Sequence, residues 1–176
     1  MSHAETVPEP RIRVYRPGDE IDAAALAAVN FDCSIRDCYE PDGCALFLAY
    51  ILPAEIARRQ GEGCQMFLAE LGGRAAGVLE LREFRHISML FVAPEFHRRG
   101  IASRLLDRAL RLALRMVPEL KSWTVYAAPG AVGAYRRWGF RATGPEEVRS
   151  GARFTPMELR FDRQDPRESG DFRLFF

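Results

Sequence analysis

The chain has 176 residues, 48% of them hydrophobic and 28% charged, and its 25 Lys and Arg nearly balance 24 Asp and Glu. That length suits one domain with a substantial core and is short for two, and a net charge of +1 excludes a global attraction to nucleic acid. No apolar run reaches the length of a membrane span and no signal-peptide hydrophobic region opens the chain, so a cytoplasmic protein with neither membrane nor nucleic-acid partner is expected.

Residues 1–10 are polar, carry Pro8 and Pro10, and are expected to form a flexible tail. Arg11 to Tyr15 alternates as a first strand, Pro17-Gly18-Asp19 turns, and Asp19 or Asp22 can cap a helix running to about Val29. Phe31 to Gly43 has no clean period. Its acidic Asp37, Glu40 and Asp42 are compatible with a cationic ligand or with a solvated loop. Cys33, Cys38, Cys44 and Cys64 lack the paired spacing of a zinc site, so reduced thiols and no metal are expected.

Cys44 to Tyr50 is apolar, and Pro53 opens a short helix through Arg59. Gln65 to Leu71 and Arg74 to Phe84 read as strands joined by Gly72-Gly73, a hairpin signal that imposes antiparallel pairing. Ile87 to Val92 is a short apolar run closed by Ala93-Pro94, a mostly buried strand and its turn. Next comes a helix, with Ile101, Ala102, Leu105, Leu106, Ala109, Leu110 and Ala113 on one face and Arg104, Asp107, Arg108, Arg111 and Arg115 on the other. Lys121 to Ala128 alternates as a strand, a helix runs from Pro129 to Gly139, and Arg153 to Phe161 closes the domain with a strand. Residues 162–176 are a charged tail whose Leu174-Phe175-Phe176 end is expected to pack on the domain or on a neighbouring subunit.

Chemistry concentrates in the loop between the Ile87–Val92 strand and its helix. The first N–H groups of a helix have no intrahelical partners, and with the positive end of the helix dipole they seat an anion. Gly100 at that start lets a ligand approach the backbone, and Arg98 and Arg99 add charge beside it. The loop is neither a Walker A sequence nor a dinucleotide fingerprint.

Val92-Ala93-Pro94-Glu95-Phe96 followed by His97-Arg98-Arg99-Gly100-Ile101-Ala102 resembles the pyrophosphate signature of the GNAT superfamily of N-acetyltransferases, Gln/Arg-x-x-Gly-x-Gly/Ala, with His97 at the position usually held by Gln or Arg. Pro129 to Phe140 is similar to a second GNAT segment, with Tyr135 on the family's tyrosine and Gly139-Phe140 ending the helix. Tyr126 and Ala128 stand for the family's common Asn and Ser, and Ala134 for an aromatic. The resemblance covers about residues 11–161. It implies a mixed α/β (α+β) fold, a mostly antiparallel central sheet covered by helices; the runner-up, an open parallel sheet, conflicts with the Gly72-Gly73 hairpin.

What the resemblance implies for function is direct transfer of the acetyl group of acetyl-CoA, as cosubstrate, to a small-molecule or peptide amine in a ternary complex. The cofactor would contact Leu90, Phe91 and Val92 on the strand and His97, Arg98, Arg99, Gly100, Ile101, Ala102 and Ser103 in the loop. Tyr135 would protonate the leaving thiolate. The base would be His86, at the position where the family often has Glu, or else Glu80 or Glu83. No Cys or Ser has a His in a nucleophile setting, which leaves a covalent route without support. A catalytically silent module that binds acyl-CoA as a sensor or scaffold is the alternative, and a homodimer fits either reading.

Overall fold

The computed structural model describes residues 9–161. In chain order the elements are β1 (Arg11–Val14), α1 (Asp19–Ser34), α2 (Pro41–Tyr50), α3 (Pro53–Gly61), β2 (Cys64–Leu71), β3 (Arg74–Arg82), β4 (His86–Val92), α4 (Ile101–Met116), β5 (Ser122–Ala127), α5 (Val132–Arg137), β6 (Arg141–Ala142), β7 (Glu147–Arg149) and β8 (Ala152–Arg160). The sheet order is β1-β2-β3-β4-β5-β8-β6, with β7 also on β8. Every pairing is antiparallel except that of β4 with β5. This is the mixed, mostly antiparallel sheet that the sequence leads one to expect. No helix among the described residues is long and apolar enough to cross a membrane.

Both sides of the sheet are buried because successive side chains of a strand point opposite ways. Phe67, Leu79, Leu81 and Ile87 pack with Leu105, Leu106, Ala109 and Leu110 of α4, while Met66, Leu68, Val78 and Met89 pack with Ala23, Leu26 and Ala27 of α1 and Ile56 of α3. Helix α4 lies close enough to β3 that a Cβ on Gly77 would stand 3.0 Å from Ile101 Cγ2 and 3.1 Å from Leu105 Cδ1. The β2–β3 turn uses Gly72 (φ +59°) and Gly73 (φ +77°), positive at both central positions as a two-residue hairpin requires.

Several expectations are corrected. Helix α1 continues five residues beyond Val29 to Ser34, and neither Asp19 nor Asp22 caps it: Gly18 holds that position without a side-chain bond. The Asp19 carboxylate instead accepts the Arg16 N–H at 2.6 Å and pairs with Arg13 at 2.6 Å. The stretch without a period, Phe31 to Gly43, contains the end of α1, a 3₁₀ turn at Arg36–Cys38 and the start of α2. Residues 44–50 lie within that helix. Strand β3 stops at Arg82 because Glu83 (φ +52°) and Phe84 (φ +56°) turn the chain. Helix α5 is only six residues long, preceded by a 3₁₀ turn at Pro129–Ala131. The four cysteines are free. The expected packing of Leu174-Phe175-Phe176 and most of both tails lie outside the described residues.

Candidate active site

Strands β4 and β5 are in register for two residue pairs, His86 with Thr124 and Ile87 with Val125. Beyond them β4 runs on to Val92 and β5 to Ala127 without a further pairing, so the two strands part and leave a wedge in the sheet. A cavity of about 820 Å³ occupies this place, lined by Leu90 and Val92 of β4, by the loop from Phe96 to Ser103 excepting Arg99, and by Gly130, Ala131, Ala134, Tyr135, Arg137 and Trp138 across from them. Asn30 of α1 lines it as well.

One end of the cavity has the features that can seat an anion. Arg98 (φ +61°) and Gly100 (φ +72°) both adopt left-handed backbone, which bends the loop into a concave turn leading into α4. For Arg98, a residue with a Cβ, that conformation costs about 1–3 kcal/mol. Gly100 holds the cap position without a side-chain bond, and a Cβ built on it meets nothing within 4 Å: the space above it is open for a ligand. The first N–H groups of α4 stand unpaired by helix geometry, and His97, Arg98 and Arg137 line the same cavity. His97 Nε2 lies 2.8 Å from the Val92 carbonyl oxygen, tying the loop back to the end of β4. A diphosphate suits this cradle of amides and cations, and an apolar arm suits Leu90, Val92, Ile101 and Ala131 beyond it.

Tyr135 also lines the cavity. Its ring is fixed edge-on by Phe140 (centroids 5.2 Å) and Trp138 (5.4 Å), and the residue is 6% exposed. Its hydroxyl makes no hydrogen bond among the described residues, and burial pushes the phenol well above its ordinary value, so it stays protonated.

The remaining expected residues separate. Phe91 turns to the α1 side of the sheet, its ring 6.2 Å from Phe47, and Arg99 lies over Phe96 at 5.5 Å; neither lines the cavity. His86 is half-buried in the first of the two β4–β5 pairs, one residue before the strands part, with Nδ1 2.8 Å from Thr124 Oγ1 and its ring 4.9 Å from that of Tyr126. Burial, with the charge of Arg82, lowers it to about 4. Glu80 is fully buried and already engaged: it accepts from Tyr50 Oη at 3.0 Å, Arg59 Nε at 3.2 Å, Arg59 Nη2 at 3.4 Å and Gln60 Nε2 at 2.7 Å. Glu83 lies in the exposed β3–β4 turn, its N–H on the Gly63 carbonyl. None of the three candidate bases lines the cavity, and of the three only His86 lies on the β4–β5 pairing.

A family model described as an acetyltransferase (GNAT) domain matches residues 35–161. The chain belongs to the GNAT acetyltransferase family. It is 29% identical over 157 residues to the uncharacterized N-acetyltransferase YafP of Escherichia coli K12, covering 88% of this chain and 97% of that protein. A GCN5-related N-acetyltransferase structure from Rhodopseudomonas palustris superposes with a TM-score of 0.73 at 24% identity, covering 90% of this chain and all of the other. The PaiA N-acetyltransferase of Thermoplasma acidophilum, solved in complex with coenzyme A, gives a TM-score of 0.70 at 16% identity, covering 86% of this chain and 99% of that one. Both show a shared GNAT fold.

In this GNAT domain the lining residues that sequence reasoning missed are Asn30, Phe96, Gly130, Ala131, Ala134, Arg137 and Trp138. All but Asn30 lie inside or beside the two motifs, and spacing alone marked them as helix or turn. Among the described residues no cluster of three or more His, Cys, Asp or Glu is placed to hold a metal ion.

Proposed function

We propose that this protein transfers the acetyl group of acetyl-CoA directly to an amine in a ternary complex. The observation that carries the reading is the parting of β4 from β5 after Ile87 and Val125, with a cavity that runs from the left-handed turn at Arg98–Gly100 to Tyr135. The loop from His97 to Ser103 holds the diphosphate by backbone N–H groups and charge. Leu90 and Val92 flank the pantetheine arm. Bound there, the cosubstrate supplies an activated acyl carbon; the amine nitrogen bonds to that carbon, the carbon–sulfur bond breaks, and the amine gives up one proton while the sulfur takes one.

Tyr135 donates to the sulfur. A thiol has an ordinary pKa of about 8.5, so a phenol pushed above 10 serves chiefly as a hydrogen-bond donor to the developing thiolate, and the same dry surroundings that raise the phenol make that thiolate more basic. His86, neutral at physiological pH, passes the amine's proton to solvent. Its conjugate acid, near 4, is far too acidic to hold a proton taken from an ammonium of pKa about 10.4, so the acceptor enters as the neutral amine.

The alternative, a module that binds acyl-CoA without turnover, is favoured by one observation: no Asp or Glu is among the residues lining the cavity. Release of free thiol from acetyl-CoA, measured across alkyl amines, polyamines and peptide N-termini, decides between the two. Amine-dependent release supports the transferase. Tight CoA binding without release from any amine supports the binding module.

A further inference from the structure

Helix α1 buries Ala23, Leu26, Ala27, Asn30 and Phe31, a stripe at helical spacing in which four residues are apolar and one is a carboxamide. An amide at such a position is costly. Asparagine is a weaker helix former than alanine or leucine, and burying an amide without full hydrogen bonding costs about 1–3 kcal/mol on the scale of protein substitutions. Asn30 is only 7% exposed, and packing alone would be served as well by leucine.

Half of the side chain is accounted for. Asn30 Nδ2 donates to the Leu26 carbonyl at 2.9 Å, one turn back on the same helix. That bond also fixes which way the amide points, because a reversed side chain would set two oxygens against each other. Oδ1, an acceptor with two lone pairs, has no hydrogen bond among the described residues, and Asn30 lines the cavity between β4 and β5.

Its side of the sheet supplies the rest. The stripe of α1 packs with Met66, Leu68, Val78 and Met89, on the face opposite α4 and the anion cradle. Asn30 is the one residue of α1 that lines the cavity, whose other lining residues come from β4, the loop into α4 and residues 130–138. The acyl donor enters along the loop on the α4 side, which leaves the α1 side for the acceptor.

We infer that Asn30 Oδ1 is a binding site for the acceptor amine, taking a hydrogen bond from one N–H while the nitrogen lone pair is directed at the acyl carbon. The inference rests on the transferase reading above. A neutral carbonyl suits the task because it accepts from an uncharged amine and holds it more strongly as the nitrogen becomes positive on bonding to carbon. It takes no proton; it orients the nucleophile.

Asn30→Leu completes the apolar stripe and should fold at least as well as the parent, and Asn30→Ala serves as the smaller variant. With an amine that the parent acetylates, both should lower kcat/KM for the amine about 10- to 100-fold, the range for a hydrogen bond to a group that becomes charged. CoA affinity by calorimetry should stay within about 2-fold. Unchanged kcat/KM in a folded Asn30→Leu protein overturns the inference. So does a comparable loss of CoA affinity, which would place the Oδ1 contact on an amide of the pantetheine arm. Failure of the parent to release thiol with any amine counts against the transferase reading itself, and is seen before any variant is compared.

Discussion

His86 Nδ1 lies 2.8 Å from Thr124 Oγ1, across one of the two residue pairs that join β4 to β5. The side chains thus link the strands one pair before they part. Because burial lowers His86 to about 4, the folded protein resists a proton that the unfolded chain accepts below about 6.5. Stability contributed by the neutral imidazole is present above 6.5 and is lost as pH falls from there towards 4. Thermal melts between pH 4 and 7 should show that loss, and His86→Gln should flatten it. An unaltered slope in the variant would assign the loss to other groups.

Glu80 and Arg59 make a second testable pair. The carboxylate is fully buried, the guanidinium nearly so and stacked 3.6 Å over the Tyr50 ring, and the Tyr50 hydroxyl is pushed up to about 12 by burial and then by the charge of Glu80. Removing one partner leaves a buried charge without its counterion, so Arg59→Met should cost about 3–5 kcal/mol of unfolding free energy. The double variant Glu80→Leu with Arg59→Met should cost less than Arg59→Met alone. Urea denaturation reads both, and additive losses would show that the two residues stabilise the fold independently.

The proposed anion seat depends on Gly100. Valine there would be forced into left-handed backbone, and its side chain would project into space that is now open to the cavity. Gly100→Val should weaken CoA binding by well over 10-fold. Arg104→Ala, on the same helix but paired with Glu9 at 3.2 Å, should change it less than about 3-fold. Calorimetry with CoA compares them, and equal affinities would remove the loop from the binding site.

How far the sequence could be read follows from where each residue finds its partners. Helix α4 was legible because its buried Ile101, Leu105, Leu106, Ala109, Leu110 and Ala113 repeat on one face against the sheet. Helix α2 was not: PDGCALFLAY is apolar nearly all round, and its one fully buried residue is Gly43, whose Cβ would stand 2.4 Å from the Gly151 backbone. A contact made by backbone leaves no period in the side chains. Strands β6 and β7 have two and three residues and exist through pairing with β8, too short for alternation to register. The loop residues and Tyr135 that line the cavity could be singled out in the sequence because their motifs are local. Glu80 looked available as a base because its partners Tyr50, Arg59 and Gln60 lie 20 to 30 positions earlier in the chain. Asn30 was hidden for the opposite reason, since it sits within an apolar stripe that reads as core.

Tyr135 supports the most direct test of mechanism. Its ring is held by Trp138 and Phe140, so Tyr135→Phe keeps the packing and removes only the hydroxyl, which has no partner to lose among the described residues. Stability and CoA affinity should therefore remain close to those of the parent. If the hydroxyl donates to the departing sulfur, turnover should fall about 100-fold under conditions where chemistry limits the rate, the lower end of what a positioned acid contributes. Burial keeps the phenol protonated well past pH 9, so the parent and the variant should share the same shape of pH–rate profile below that point and differ only in height. A basic limb present in the parent and missing from the variant would mean that the hydroxyl titrates during the cycle. Parental turnover in a folded Phe variant would leave Tyr135 with packing alone.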